Sequence, residues 1–334
     1  MLVRFIGTAG REGWPSPGCS CVSCASLPPG SCSPLEVVVD EALRLPGEGL
    51  APGYRLDGPV LVAPDGSRLL SPPFPAPSAW ASPREAACDV VLLDLIGDPF
   101  VLGDLRGRGV VTPSTHVVAV GLDHRVRPEE LSRRLALWGA RAVPDGAVLD
   151  TSCAPSPMPP PARRTLLLGG SRSGKSAEAE LRLAGEPHVT YLATGPSGHD
   201  DPEWAARVAV HRARRPAHWA DDETTALAEA ITRATTPLLV DGLGTWLAAM
   251  FDEAGAWEDP SRRDEVVRRC DELVEAWRST PQRVVAVSDE VGLGVVPSTS
   301  SGRAFRDALG RLNQRMAAES EDVALVVAGR LLPL

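Results

Sequence analysis

From residue 164 onward, short apolar runs alternate with longer stretches whose apolar residues recur about every 3.6 positions. The runs "TLLLGG", "HVTYLAT", "TPLLVDGLG", "RVVAVSDEVG" and "VALVVAG" have the length of strands, and continuously apolar strands are those buried on both faces of a sheet. Between them, "SAEAELRLAG", "DPEWAARVAVHRARR", "DDETTALAEAITRAT", "RRDEVVRRCDELVEAWRST" and "SGRAFRDALGRLNQRMAAES" carry helical periodicity. Strand and helix in alternation predict an α/β fold: a parallel sheet with helices on both faces, binding its ligand beyond the carboxyl ends of the strands.

The first half is less regular. "VVLLDLIG" and "HVVAVGL" are expected as strands, "PEELSRRLALWGA" as a helix, and "GPVLVAPDGSRLLS" as a hairpin turning at Asp65-Gly66. The stretch "CAPSPMPPPARR" is proline-rich and predicts an extended linker over 153–164, between a smaller layered domain at 1–152 and the α/β domain at 165–334.

Composition narrows the function. A net charge of −9 over 334 residues excludes a general nucleic-acid binder, which needs a basic surface to replace phosphate counterions. No apolar run approaches the ~20 residues of a membrane span, and "MLVRFIGTAG" breaks before a signal-peptide core develops, so a cytoplasmic protein is expected. Of seven cysteines, Cys19, Cys21, Cys24 and Cys32 fall close together while the others are scattered, which is unlike a secreted disulfide framework. C-x-C-x-x-C over Cys19, Cys21 and Cys24 offers three thiolates for a structural Zn²⁺, with His116, His124 or Cys32 as candidate fourth ligand; free thiols in a loop are the alternative.

One lysine occurs in the whole chain, Lys175, against thirty-three arginines. It lies in Gly169-Gly170-Ser171-Arg172-Ser173-Gly174-Lys175-Ser176, which satisfies G-x-x-x-x-G-K-[ST] directly after a strand and directly before a helix. The glycines let successive N–H groups turn toward phosphate oxygens at the positive end of the helix. A compact ammonium threads between those oxygens where a planar guanidinium fork does not. Ser176 is the candidate Mg²⁺ ligand, and Asp241 at the end of another strand is its candidate acidic partner. These residues predict a nucleotide-dependent phosphotransferase or ATPase.

"VAVHRARRPAHW" sets His211 and His218 among three arginines. One reading is a solvated helix end with partly buried histidines. The other is a neutral imidazole that attacks phosphorus while arginines neutralise the phosphates around it.

The stretches "GGSRSGKS", "VTYLATG", "EWAARVAVHRARRPAHW", "LLVDGLGTWL", "VSDEVGLGVVPSTSSGRAFRDALGRLNQRMAA" and "VVAGR" together resemble, in order, the bifunctional adenosylcobinamide kinase and adenosylcobinamide-phosphate guanylyltransferase family of cobalamin biosynthesis. The resemblance covers 165–334. It implies that His211 takes up GMP with His218 in support, and that Thr194, Gly195, Pro196, Arg212, Ala213, Arg214 and Arg215 line the nucleotide site with the phosphate loop. Glu223 and Asp241 match acidic positions associated with nucleotide or magnesium. Two positions depart from the family pattern: Asp289 replaces an asparagine, adding a charge near the phosphates, and Gly242 replaces a cysteine. The family implies phosphorylation of adenosylcobinamide from ATP or GTP, GMP transfer from GTP through the histidine, and a trimeric homo-oligomer.

"FIGTAGREGWPSPGCSCVSC" looks like the first strand and cysteine loop of metallo-β-lactamase-fold proteins of the phosphodiesterase type, but that fold's H-x-H-x-D-H signature is absent. A degenerate, non-hydrolytic N-terminal domain is expected. The rival functions are a metallohydrolase with a regulatory P-loop half, and a regulatory P-loop ATPase in which His211 is incidental.

Overall fold

The computed structural model describes residues 1–47, 49–71, 86–195, 209, 212 and 215–334. The chain divides into two compact units, Met1–Pro161 with Ala184–Pro187, and Ala162–Leu183 with His188–Leu334.

In the first unit, β1 (Leu2–Gly7) pairs antiparallel with β2 (Glu36–Val39) and β9 (Val148–Asp150), and β3 (Leu43–Leu45) extends the sheet beyond β2. β1 alternates exposed and buried positions, so its odd-numbered residues Val3 and Phe5 face inward. A second sheet has the order β4 (Arg55–Asp57), β5 (Val60–Val62), β6 (Arg68–Leu70), β7 (Val90–Leu93), β8 (His116–Ala119). The expected hairpin is β5 and β6, antiparallel with Ala63 N–H bonded to Ser67 O. β7 is parallel to both its neighbours and buried throughout, as its unbroken apolar run requires. Val3, Phe5, Val37 and Val39 share one core with Leu61, Leu69, Val90, Leu92 and Val118, so the two sheets bury their apolar faces together. The unit also carries α1 (Val22–Ala25), α2 (Val101–Gly107) and α3 (Pro128–Trp138). Proline opens α3 and left-handed Gly139 closes it.

Residues 153–163 contain no helix or strand. The second unit is a seven-stranded sheet ordered β12 (Ala220–Glu223), β11 (Thr190–Ala193), β13 (Leu238–Asp241), β14 (Val284–Asp289), β10 (Arg164–Gly169), β15 (Asp322–Val327), β16 (Arg330–Pro333). All neighbours are parallel except β15 and β16, which form a terminal antiparallel pair. The described helices are α4 (Lys175–Leu183), α5 (Leu227–Arg233), α6 (Leu243–Ala254), α7 (Arg263–Ser279) and α8 (Ser300–Ala318). Val266, Cys270, Leu273, Val274 and Trp277 form the inward stripe of α7, and Trp277 is fully buried with its indole N–H on Ser320 Oγ at 3.1 Å.

Two expectations change. "DDETTALAEAITRAT" forms a strand before its helix: Ala220–Glu223 is an exposed edge strand beside β11, and the helix starts at Leu227. An edge strand with both faces solvated has no apolar alternation to betray it. Leu243–Ala254, which carries no strand-length run or clear polar face, is a helix with Leu243, Trp246, Leu247, Met250 and Phe251 buried. The stretch "DPEWAARVAVHRARR" lies almost wholly outside the described residues.

Candidate active site and candidate metal centre

The parallel strands of the second unit end together on one edge of the sheet, and their last residues assemble the site. Register places Gly169 of β10 beside Asp289 of β14, and Ala193 of β11 beside Asp241 of β13. After Gly169 the chain makes a tight turn, with Ser173 N–H on Gly170 O at 3.2 Å, and enters α4 at Lys175. Only glycine fits at 169, because a Cβ there would lie 2.6 Å from both Ser173 Oγ and Val326 O. Gly174 has a φ of 100°, which L side chains rarely adopt. The first N–H groups of α4 therefore face the hollow of the turn, an anion site by construction.

Lys175 Nζ bonds Asp289 Oδ1 at 2.8 Å and Gly170 O at 3.2 Å. Asp289, noted from sequence only as an added charge, is thus the direct partner of the lone lysine, and its other oxygen closes on Gly244, where a Cβ would come within 2.6 Å. Ser176 Oγ donates to Asp241 Oδ1 at 3.3 Å. The hydroxyl of Tyr191 donates to Asp241 Oδ2. Burial, and then the Asp241 charge beside it, push the Tyr191 phenol far above its ordinary range, so it stays a donor.

Thr194 Oγ1 donates to Gly242 O at 2.7 Å and accepts from Gly242 N–H at 3.0 Å, pinning the end of β11 to the turn after β13. Thr245 Oγ1 joins at 2.9 Å from Gly242 O. Gly195 follows Thr194 directly beyond β11. Arg172 is exposed on the turn with a φ of 58°. Glu223 ends β12 and pairs with exposed Arg212. Arg215 stacks its guanidinium 3.3 Å from the centroid of the Tyr191 ring and pairs with Asp221. His218 is half-buried beside buried Trp219. Pro196, His211, Ala213 and Arg214 lie outside the described residues. Tyr191 and Thr245 were missed as site residues: each sits inside a strand or helix pattern that core packing alone explains.

The matching family is cobinamide kinase / cobinamide phosphate guanyltransferase, over residues 165–334. The chain belongs to this family. It is an enzyme of cobalamin biosynthesis with kinase and guanylyltransferase activities. The bifunctional adenosylcobalamin biosynthesis protein CobP of Pseudomonas aeruginosa is 43% identical over 177 residues, covering 51% of this chain and 96% of that protein. The CobU proteins of Salmonella typhimurium and Escherichia coli are 39% and 37% identical, each covering 49% of this chain and 95% of its own length. Among solved structures, a type III secretion system ATPase is similar over 49% of this chain and 50% of that one, at 15% identity and a TM-score of 0.32.

In the first unit, Cys19, Cys21, Cys24 and His124 gather their ligand atoms within 4.8 Å of one another. Of the three candidates for a fourth ligand, His124 is the one in place, with Nδ1 3.5 Å from Cys19 Sγ and 3.8 Å from Cys24 Sγ. His116 is buried and engaged instead with Cys153 O at 2.8 Å, and Cys32 sits on a bridge with Trp14. Cys21 caps α1, accepting from Cys24 N–H, which holds the Cys21 thiol below its ordinary range; burial pushes the Cys24 thiol up. Buried Ser23 accepts from Trp14 Nε1 at 3.1 Å and donates to Val126 O at 2.7 Å, fastening the cysteine turn to the segment that carries His124. No helix among the described residues is long and apolar enough to cross a membrane.

Proposed function

We propose that the edge formed by the ends of β10, β13 and β14 carries both reactions on adenosylcobinamide, and that His211 is the group that holds GMP between them. The observation that supports this is the convergence of Lys175, Ser176, Asp241 and Asp289 around one glycine turn at a helix start. In the first reaction, the turn and Lys175 hold the donor phosphates while the acceptor hydroxyl oxygen bonds to the γ-phosphorus, whose bond to the bridging oxygen breaks. Ser176 and Asp241 would hold magnesium; a hydroxyl and a carboxylate are the hard oxygen donors it takes. When bound, the ion neutralises charge on the phosphates.

In the second reaction, an imidazole nitrogen of His211 forms a bond to the α-phosphorus of GTP, and pyrophosphate leaves with the electrons of the Pα–O bond. An oxygen of cobinamide phosphate then attacks the same phosphorus, the P–N bond breaks, and the imidazole is restored. Arg212 and Arg215, close by in sequence, supply positive charge. Incubation with labelled GTP tests this reading. The α-label should remain on protein in an acid-labile, base-stable bond, and the γ-label should not. His211→Ala should lose the α-label while retaining kinase turnover; normal labelling of that variant would place the nucleophile elsewhere.

The four-residue cysteine and histidine cluster supports a structural Zn²⁺. Three thiolates and one imidazole nitrogen form a closed tetrahedral donor set, and the ~2.3 Å Zn–S bonds of such sites put ligand atoms roughly 3.8 Å apart, close to the spacing found. With all four positions taken by protein, the ion would staple the unit and open no position for a substrate. A cytoplasmic, trimeric protein remains our reading; light scattering checks the assembly.

A further inference from the structure

Tyr191 touches both halves of the proposed chemistry. It is the second residue of β11, directly opposite Asp221 of β12 and Leu239 of β13 in the parallel register. Partners across a sheet point to the same face, and so do residues two apart on one strand. Asp241, two residues beyond Leu239, is therefore the diagonal neighbour of Tyr191, within reach of a long side chain. The phenol makes that reach and bonds Asp241 Oδ2, leaving Oδ1 to Ser176. Asp221 faces the same way on the other side, and Arg215 bridges the pair, with its guanidinium over the Tyr191 ring and on the Asp221 carboxylate. Arg215 is held closely, with its side chain 8% exposed and its Nε buried with no partner among the described residues. Arg215 follows His211 by four residues.

An apolar side chain would fill the core position of Tyr191 equally well. The hydroxyl is needed only for what it bonds, and the flat ring accepts a guanidinium where an aliphatic side chain does not.

We propose that Tyr191 is a positioning residue for both reactions: its hydroxyl turns the Asp241 carboxylate toward Ser176, and its ring seats Arg215, which follows His211 by four residues in sequence. The proposal rests on the functional reading above for the role of His211, but its Asp241 half does not depend on that role. Tyr191→Phe removes the hydroxyl and keeps the ring. Losing a hydrogen bond to a charged group, it should raise the Mg²⁺ concentration needed for half-maximal tightening of a fluorescent ATP analogue by about tenfold, with Mg²⁺-free binding of the analogue unchanged. This equilibrium measurement requires no turnover. Tyr191→Leu removes ring and hydroxyl together, and should lower the α-label taken from GTP at least about fivefold further than Tyr191→Phe does, since the seat of Arg215 is lost. Arg215→Ala removes the guanidinium itself, so it should lose at least as much label as Tyr191→Leu and leave the Mg²⁺ dependence as in the parent protein. An unchanged Mg²⁺ dependence in Tyr191→Phe, or an equal weakening with and without Mg²⁺, overturns the first half. Equal labelling of the Phe and Leu variants, or full labelling of Arg215→Ala, overturns the second. If Tyr191→Leu does not fold, Tyr191→Met, which also lacks the ring and fills more of its space, takes its place in that comparison. Absence of label from the parent protein would instead overturn the functional reading, while the Mg²⁺ titration would still decide the role of the hydroxyl.

Discussion

The phosphate-loop corner of the second unit and the cysteine corner of the first are both ligand-facing, but they are held in opposite ways. At the phosphate loop the charges answer one another: Lys175 has Asp289, and Asp241 has both Ser176 and Tyr191. A nucleotide must compete with those bonds, and the corner keeps its shape through the sheet behind it. At the cysteine corner, the four ligand atoms are thiols and an imidazole, weak donors and acceptors that satisfy one another poorly. Ser23 fixes their approach, but only a metal makes strong bonds to all four. The first corner is therefore expected to survive without its ligand and the second to depend on its own.

The largest effect that bears on this contrast is at Lys175. Lys175→Ala should lower both transfer rates by at least about 10²–10³-fold in steady-state assays, while leaving the melting temperature nearly unchanged. Lys175→Arg should rescue poorly, because a fork replaces a point charge. Near-normal turnover in that variant would remove the explanation for the single lysine.

The reverse pattern is expected at Cys24. Cys24→Ser should reduce bound zinc from about one per chain to none in elemental analysis and lower the unfolding temperature of the first unit by roughly 5–10 °C, the equivalent of about 2–3 kcal/mol for a unit of this size. Both transfer rates measured below that transition should stay near parent values. Metal-free parent protein with unaltered melting would leave the cysteines as ordinary thiols and dissolve the contrast.

A smaller change sharpens the first corner. Asp289→Asn removes the carboxylate that occupies Lys175 but keeps the shape, so nucleotide should bind about two- to fivefold tighter in an equilibrium titration, the size of a partly exposed ion pair. Weaker binding would instead give Asp289 a direct part in holding the nucleotide.

The smallest effect lies away from either corner. Glu321 accepts from the Arg164 backbone N–H and from its guanidinium, both at 2.7 Å, and that pairing holds its carboxyl below the ordinary range. A depressed folded-state value contributes stability above the unfolded carboxylate pKa of about 4.3, and loses it as pH falls through the folded value. Glu321→Gln should thus cost less than about 1 kcal/mol at neutral pH, after solvent screening, with the difference from the parent vanishing in acid melts.

Much of the second unit was legible because its signals are local. A parallel strand buried on both faces must be apolar along its length, a phosphate turn must have glycine where a Cβ collides, and a helix must repeat its apolar face. β10, β11, β13, β14, β15 and the start of α4 follow from those demands alone. β12 was missed because exposed edge residues carry no such demand, and α6 because a helix buried on most sides loses its polar stripe.

Partners distant in sequence are a different matter. Spacing proposed three thiolates and left His116, His124 and Cys32 open; the fold chose His124, because the return from β8 to α3 brings it to the cysteine turn and β8 turns His116 toward Cys153. Asp289 could be flagged as an extra charge, but its bond to Lys175 exists because β14 lies next to β10, a neighbour 114 residues away. Tyr191 looked like one more core residue until strand register put Asp241 diagonally across from it. Local chemistry is written in residue type and spacing, whereas strand order and register decide which distant side chains meet, and no short stretch of sequence contains that information.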